Sequence, residues 1–241
     1  MTREDMAAPP EGLFVTGTDT GVGKTFVSCA LLQLWHERGL KPQPRKPVES
    51  GCPAGANGLI PEDGLNLTRA AGLPDADIEQ VTPWRFPDAI APDQAAANQG
   101  VRLTVAQLVT ACGTDAEGPR LVEGAGGFYS PLCADGLNAD LASTLGLPVL
   151  LVAEDRLGAL NTCLLTLEAL ERRGLVLAGI VLNRRRADAD PRLDNRAALR
   201  ARTHAAIVES PEGITRAALV QKLSTSKLSG RIGSTGAGSR P

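Results

Sequence analysis

Two lysines, two acids and a threonine are the residues in this sequence best suited to moving phosphate. Lys24 and Thr25 close the run GTDTGVGKT (17–25). Backbone N–H groups of a glycine-rich turn can point at phosphate oxygens, and the dipole of a following helix adds favourable potential. Gly21, Val22 and Gly23 would form that cradle, with Phe26 directly behind it. Lys24 would reach the β- and γ-phosphates, and Thr25 would offer its hydroxyl to Mg²⁺. Five residues separate Gly17 from Gly23, one more than the usual phosphate loop has. The plainer reading is a strand–turn–helix join.

Three further positions extend the chemistry. Lys46 lies in RKPVESG (45–51), where a strand is expected to end. In an open α/β sheet ligands gather beyond the carboxyl ends of the strands. An ammonium there could hold an anionic reactant and a transferring phosphoryl group together; otherwise it is a solvated strand-end lysine. Glu123, in VEGAGG (122–127), is a strand-end carboxylate beside glycines. It suits Mg²⁺, or else a turn or a helix cap. Asp63, in PEDGLNL (61–67), precedes a helical run and reads as an N-cap or a metal ligand. Asn183 ends an apolar run and could offer an amide donor and acceptor to a purine edge. No Asn-Lys-x-Asp run is present, which favours ATP over GTP.

The elements that must position these residues follow from periodicity. LFVT (13–16) is a buried strand, and Lys24–Arg38 is a helix with Val27, Ala30, Leu31, Leu34 and Trp35 on its apolar side. Gln43–Val48 is expected to be a second strand, and Gly64–Ala71 a short helix opened by Asp63. Thr104–Cys112 reads as a helix, Arg120–Glu123 as a strand and Asn138–Leu145 as a helix. Pro148–Ala153 reads as a strand, Leu157–Arg173 as a helix and Leu177–Asn183 as a strand. Alternation at this spacing predicts a three-layer α/β fold, a mostly parallel sheet with helices on both faces. One domain is expected over 12–205. Residues 206–241 read as an atypical C-terminal segment, disordered from about 223, where Ser and Gly dominate.

Composition narrows the function. Among 241 residues the formal net charge is −2 and only 3% are aromatic, so neither a basic field nor a base-stacking platform points to nucleic acid. The longest apolar run, Pro148–Ala153, is too short to span a bilayer. The five cysteines (29, 52, 112, 133 and 163) form no CxxC pair, which fits a reducing, cytoplasmic setting and argues against a structural zinc. Cys29 and Cys163 are expected as small core residues, and His36 and His204 have no ligand partner at useful spacing.

Taken in order, FVTGTDTGVGKT (14–25), RKPVESG (45–51), PEDGLNL (61–67), VEGAGGFYSPL (122–132), DRLGALNTCLLTLEAL (155–170) and LAGIVLN (177–183) resemble the dethiobiotin synthetase family, a P-loop NTPase-like fold. The five-residue spacing is that family's own form. The resemblance implies an ATP- and Mg²⁺-dependent ligase of biotin synthesis acting on 7,8-diaminononanoate and CO₂ or bicarbonate. It implies that Lys46 and Lys24 are catalytic and that Ser50 contacts the diamine or its carbamate. Thr25, Asp63 and Glu123 would hold Mg²⁺. Gly124, Ala125 and Gly126 would approach nucleotide and substrate, and Asn183 and Arg184 would lie at the nucleotide. It also implies a homodimer, with residues near Leu151 and Asn161 facing the partner's substrate. The adenine-closing strand and Pro/Gly loop of that family are not found in HAAIVESPEGITRAALVQKL (204–223). The alternatives are a P-loop amidoligase, a ParA/MinD-like ATPase switch and an inactive structural relative.

Overall fold

The computed structural model describes residues 12–113, 117–185, 190 and 192–226. In chain order the elements are β1 (Gly12–Gly17), α1 (Lys24–Glu37), β2 (Gln43–Arg45), β3 (Val48–Ser50), β4 (Ala54–Gly55), β5 (Gly58–Leu59), α2 (Glu62–Ala70), α3 (Ile78–Val81), β6 (Trp84–Phe86), α4 (Pro92–Asn98) and α5 (Val105–Cys112). Then come β7 (Arg120–Gly127), β8 (Pro131–Cys133), β9 (Gly136–Leu137), α6 (Asn138–Leu145), β10 (Val149–Glu154), α7 (Ala159–Arg172), β11 (Leu177–Asn183), α8 (Asn195–Arg200), β12 (Ile207–Ser210) and α9 (Arg216–Thr225).

Six strands form one sheet in the order β12-β11-β10-β1-β7-β2, and every neighbouring pair is parallel. Successive side chains leave a strand on opposite faces, and each face here is apolar. Leu13 and Val15 of β1 join Leu150 and Val152 of β10 in a core with α1 and α9. Phe14 joins Val122, Val149 and residues of α5, α6 and α7 on the other face. Leu151, Ala153, Ile180 and Leu182 pack with Cys163 of α7 and Leu199 of α8. This is the three-layer α/β arrangement expected from the alternation.

Several boundaries differ from the expected ones for local reasons. The strand expected over 43–48 ends at Arg45, because Pro47 has no N–H for a ladder. Lys46 N–H instead donates to the Val81 carbonyl at 2.8 Å. Val48–Ser50 then starts a separate two-stranded pairing with β6. The strand expected to stop at Glu123 continues to Gly127.

The largest correction is at the C-terminal end. Ile207–Ser210 pairs in parallel with β11, Ile180 opposite Ile207 and Asn183 opposite Ser210. No strand was expected at these residues. Helix α9 follows, and Leu219 and Leu223 are fully buried in the α1 core. Leu223, expected to begin a disordered tail, is therefore a core residue. The rest of that tail, 227–241, lies outside the described residues.

Candidate functional site

The carboxyl ends of β1, β2, β7 and β11 open into a cleft of about 860 Å³. Its floor is the turn between β1 and α1. Gly23 sits at the helix N-cap with φ of 95°, and a Cβ there would lie 2.1 Å from the Asn183 amide nitrogen. Only glycine meets both conditions. Lys24 folds back so that its ammonium donates to the Asp19 carbonyl at 3.1 Å. It is buried at 7% exposure. That burial, and then the Lys46 ammonium, lower its pKa to about 8.

Lys46 is not a solvated strand-end lysine. Its ammonium donates to Glu123 Oε1 and to Asp63 Oδ2, each at 2.7 Å. Burial alone would lower its pKa, but the Glu123, Asp63 and Glu49 carboxylates outweigh it and keep the group charged. Asp63 likewise stays below the usual carboxylate range: burial pushes it up, and Lys46 more than reverses this. Asp63 is not the N-cap that its position suggests. Pro61 holds that place and gives no side-chain cap, while Asp63 lies in the first turn of α2.

Glu123 is fully buried, and its Oε1 also accepts from the Thr25 hydroxyl at 2.9 Å. Its Oε2 is buried without a hydrogen-bond partner. A buried orphan carboxylate oxygen is costly. Beside the Thr25 hydroxyl and Asp63, it has the oxygen chemistry a Mg²⁺ ion requires. No group of three or more His, Cys, Asp or Glu side chains suited to a metal occurs among the described residues. Mg²⁺ usually takes one or two carboxylates and completes its shell with water and phosphate, so the donor set fits.

The other expected residues divide into those lining the cleft and those beneath it. Gly21, Phe26, Ala125, Gly126 and Arg184 line it. Val22 is buried at 3%, and Gly124 is pressed against Asn138, with no room for a Cβ. Ser50 lines the cleft, and its hydroxyl donates to the Ile90 carbonyl at 2.7 Å. Arg184 is paired with Asp155 at 2.7 Å. Asn183 donates to the Val22 carbonyl and accepts from the Ser210 hydroxyl, both at 2.9 Å. It is thus first a tie between β11, β12 and the phosphate loop. One amide N–H and one lone pair of Asn183 are left over from these two bonds. Leu151 is fully buried in the core and cannot face a partner, whereas Asn161 on α7 is exposed. All five cysteines are free and buried.

Sequence reasoning missed three residues. Glu49 accepts from the N–H groups of Asp63 and Gly64. Asn138, fully buried, accepts from Ala125 N–H and donates to the carbonyls of Ala125 and Gly127, organising the glycine loop. Ser210 secures Asn183. Glu49 lies inside RKPVESG, but the role of none of the three shows in the sequence, because each acts through backbone groups or an amide in another element.

Comparison with known proteins agrees with this geometry. A family model described as an AAA domain matches residues 11–224. A protein of Anaeromyxobacter dehalogenans (strain 2CP-C) named ATP-dependent dethiobiotin synthetase BioD is 47% identical over 196 residues, covering 80% of this chain and 86% of its own. Proteins of the same name from Pseudomonas paraeruginosa (strain DSM 24068 / PA7) and Ruthia magnifica subsp. Calyptogena magnifica are 47% and 39% identical. They cover 70% and 72% of this chain, and 75% and 79% of their own.

Proposed function

The chain belongs to the ATP-dependent dethiobiotin synthetase family, and from that premise we propose how its residues perform the reaction. The enzyme is an ATP-dependent ligase that forms C–N bonds. One amine of 7,8-diaminononanoate takes up CO₂ as a carbamate. A carbamate oxygen attacks the γ-phosphorus of ATP and ADP leaves. The neighbouring amine then attacks the carbamic–phosphoric anhydride, the ureido ring closes and phosphate departs.

The first transfer brings two anions together, so cations must sit between them. The convergence of Lys46 and Thr25 on Glu123, with Asp63 on the same ammonium and Lys24 near enough to feel the Lys46, Glu123 and Asp63 charges, carries the residue assignment. Lys24 is assigned to the β- and γ-phosphates, and Lys46 to the carbamate and the transferring group. Mg²⁺, when bound, neutralises phosphate charge, and Thr25, Asp63 and Glu123 would hold it. Backbone from Gly21 to Gly23 and from Ala125 to Gly126 approaches the phosphates. Asn183 and Arg184 belong at the nucleoside end, beside the Pro211–Ile214 turn, whose residues Pro211, Gly213 and Ile214 also line the cleft. That turn is the Pro/Gly loop missing from the sequence reading. Ser50, with Ile90 behind it, is assigned to the diamine.

A homodimer is the second part of the reading. Asn161 and Leu165 share one face of α7, and Leu157, Leu165 and Tyr129 are exposed at 83%, 58% and 51%. Such apolar exposure supports an interface there. No helix among the described residues is long and apolar enough to cross a membrane, and the free buried cysteines support a reducing compartment.

Incubation with ATP, Mg²⁺, bicarbonate and the diamine tests the reaction. Dethiobiotin is expected by mass spectrometry, with one phosphate released per product. Phosphate release indifferent to the diamine would overturn it.

A further inference from the structure

We propose that Glu49 is a positioning residue for this reaction: its carboxylate grips the first turn of α2 and so holds Asp63 against the Lys46 ammonium. The inference deepens the reading above and rests on it for the chemistry, while its geometric core stands on the contacts alone.

Helix α2 begins without help from its own N-cap, since Pro61 gives no side-chain bond. The first N–H groups of a helix have no partner within it. Here Glu49 supplies two: Oε1 accepts from Asp63 N–H at 3.0 Å and Oε2 from Gly64 N–H at 2.9 Å. Glu49 is 7% exposed. Burying a carboxylate is costly unless each oxygen is satisfied. Two charge-assisted bonds and the positive end of the helix dipole offset part of that cost. From the other side, Gly64 lies against Thr82 so closely that a Cβ would be 2.1 Å from the threonine hydroxyl oxygen. The turn is therefore held between Glu49 and Thr82, and Asp63 leaves it toward Lys46 at 2.7 Å. One short run, RKPVESG, supplies both the ammonium and the clamp on the carboxylate that meets it.

Two N–H donors require an acceptor at each oxygen. Glutamine would set an NH₂ against one of them, so Glu49→Gln keeps the size and breaks the grip. Four proteins test this: wild type, Glu49→Gln, Asp63→Asn and the double variant. The readouts are dethiobiotin turnover and Mg²⁺-dependent binding of a fluorescent ATP analogue, with thermal unfolding alongside. Glu49→Gln is expected to lower kcat about 10- to 100-fold, with KM for the diamine within about 3-fold, as for a displaced catalytic group. In the Asp63→Asn background the same change should cost no more than about 2-fold, because coupled residues are not additive. Should Glu49→Gln not fold, Glu49→Asp, which keeps the charge, enters the same cycle. An unchanged kcat, or losses that multiply fully in both backgrounds, would overturn the role of Glu49. If wild type forms no dethiobiotin, the functional reading fails by itself. The cycle is then read on nucleotide affinity: a coupled loss supports the clamp, and independent losses overturn it.

Discussion

The two ends of the cleft are built differently. At the phosphate end, Lys46, Asp63, Glu123 and Thr25 meet through charge at 2.7–2.9 Å. At the far end, Asn183, Ser210 and the Val22 carbonyl meet through neutral hydrogen bonds of 2.9 Å, and the wall is the turn that follows a four-residue edge strand. Handling phosphate charge restricts side-chain type severely, because the side chains that serve it are cations and metal-binding oxygens. A neutral wall can be made by many side chains and by backbone. The phosphate end is therefore dense in motif and the far end almost silent, although both line one cleft.

Substitutions at the two ends should differ in kind. Lys46→Ala is expected to lower turnover about 10³-fold or more, the scale for removing a cation that stabilises a phosphoryl transition state. It should also lower stability by about 3 kcal/mol, since Glu123 stays buried without its ion pair. Kinetics and chemical denaturation measure both; wild-type turnover in this variant would remove Lys46 from the chemistry. At the other end, Leu223→Ala should cost about 2–5 kcal/mol, because Leu223 is fully buried against α1. Its active-site contacts stay intact, so kcat of the protein that remains folded should hold. A denaturation midpoint like that of wild type would return α9 to the status of a loose tail.

Ser210→Ala removes one neutral hydrogen bond to Asn183, worth about 1 kcal/mol. KM for ATP should rise roughly 3- to 10-fold with kcat unchanged. A kcat loss without a KM change would place Ser210 with the phosphate end and erase the contrast.

The smallest effect is electrostatic. Burial, then Lys46, lower Lys24 to about 8, against about 10.4 for an unfolded lysine. Between those values the unfolded chain holds a proton that the folded chain lacks, so this lysine's contribution to stability rises with pH. Below about pH 8 both forms are charged, and the folded protein bears the whole cost of burial. Denaturation of the ligand-free protein from pH 7 to about 9 should show wild type gaining on Lys24→Met; unfolded cysteines ionise from about pH 8.5, but the five are common to both proteins and cancel in the difference. Parallel profiles would mean that the Lys24 charge is solvated.

Much of the central architecture was legible because period and punctuation agreed. Asn138–Leu145 and Leu177–Asn183 occur with the expected bounds. β12 was not legible. IVES is four residues long and lies among charged neighbours. Its register opposite β11 comes from pairing across the sheet, not from any local pattern. Asp63 misled for a related reason: its sequence position suits a cap, but Pro61 takes that place and Glu49 satisfies the N–H groups instead.

The sequence by itself determined the phosphate loop, the helix behind it, the alternation that makes a parallel sheet, and the lysines and carboxylates that handle charge. These depend on residue type and short spacing, which a linear chain displays directly. Only the tertiary structure decided that Lys46 is buried between Asp63 and Glu123, that Glu49 holds the first turn of α2, that Asn138 organises the glycine loop, and that the turn after β12 lines the far end of the cleft. Each depends on partners 11 to 77 residues apart or on one edge strand finding its neighbour. Distances of that kind exist only once the chain has folded.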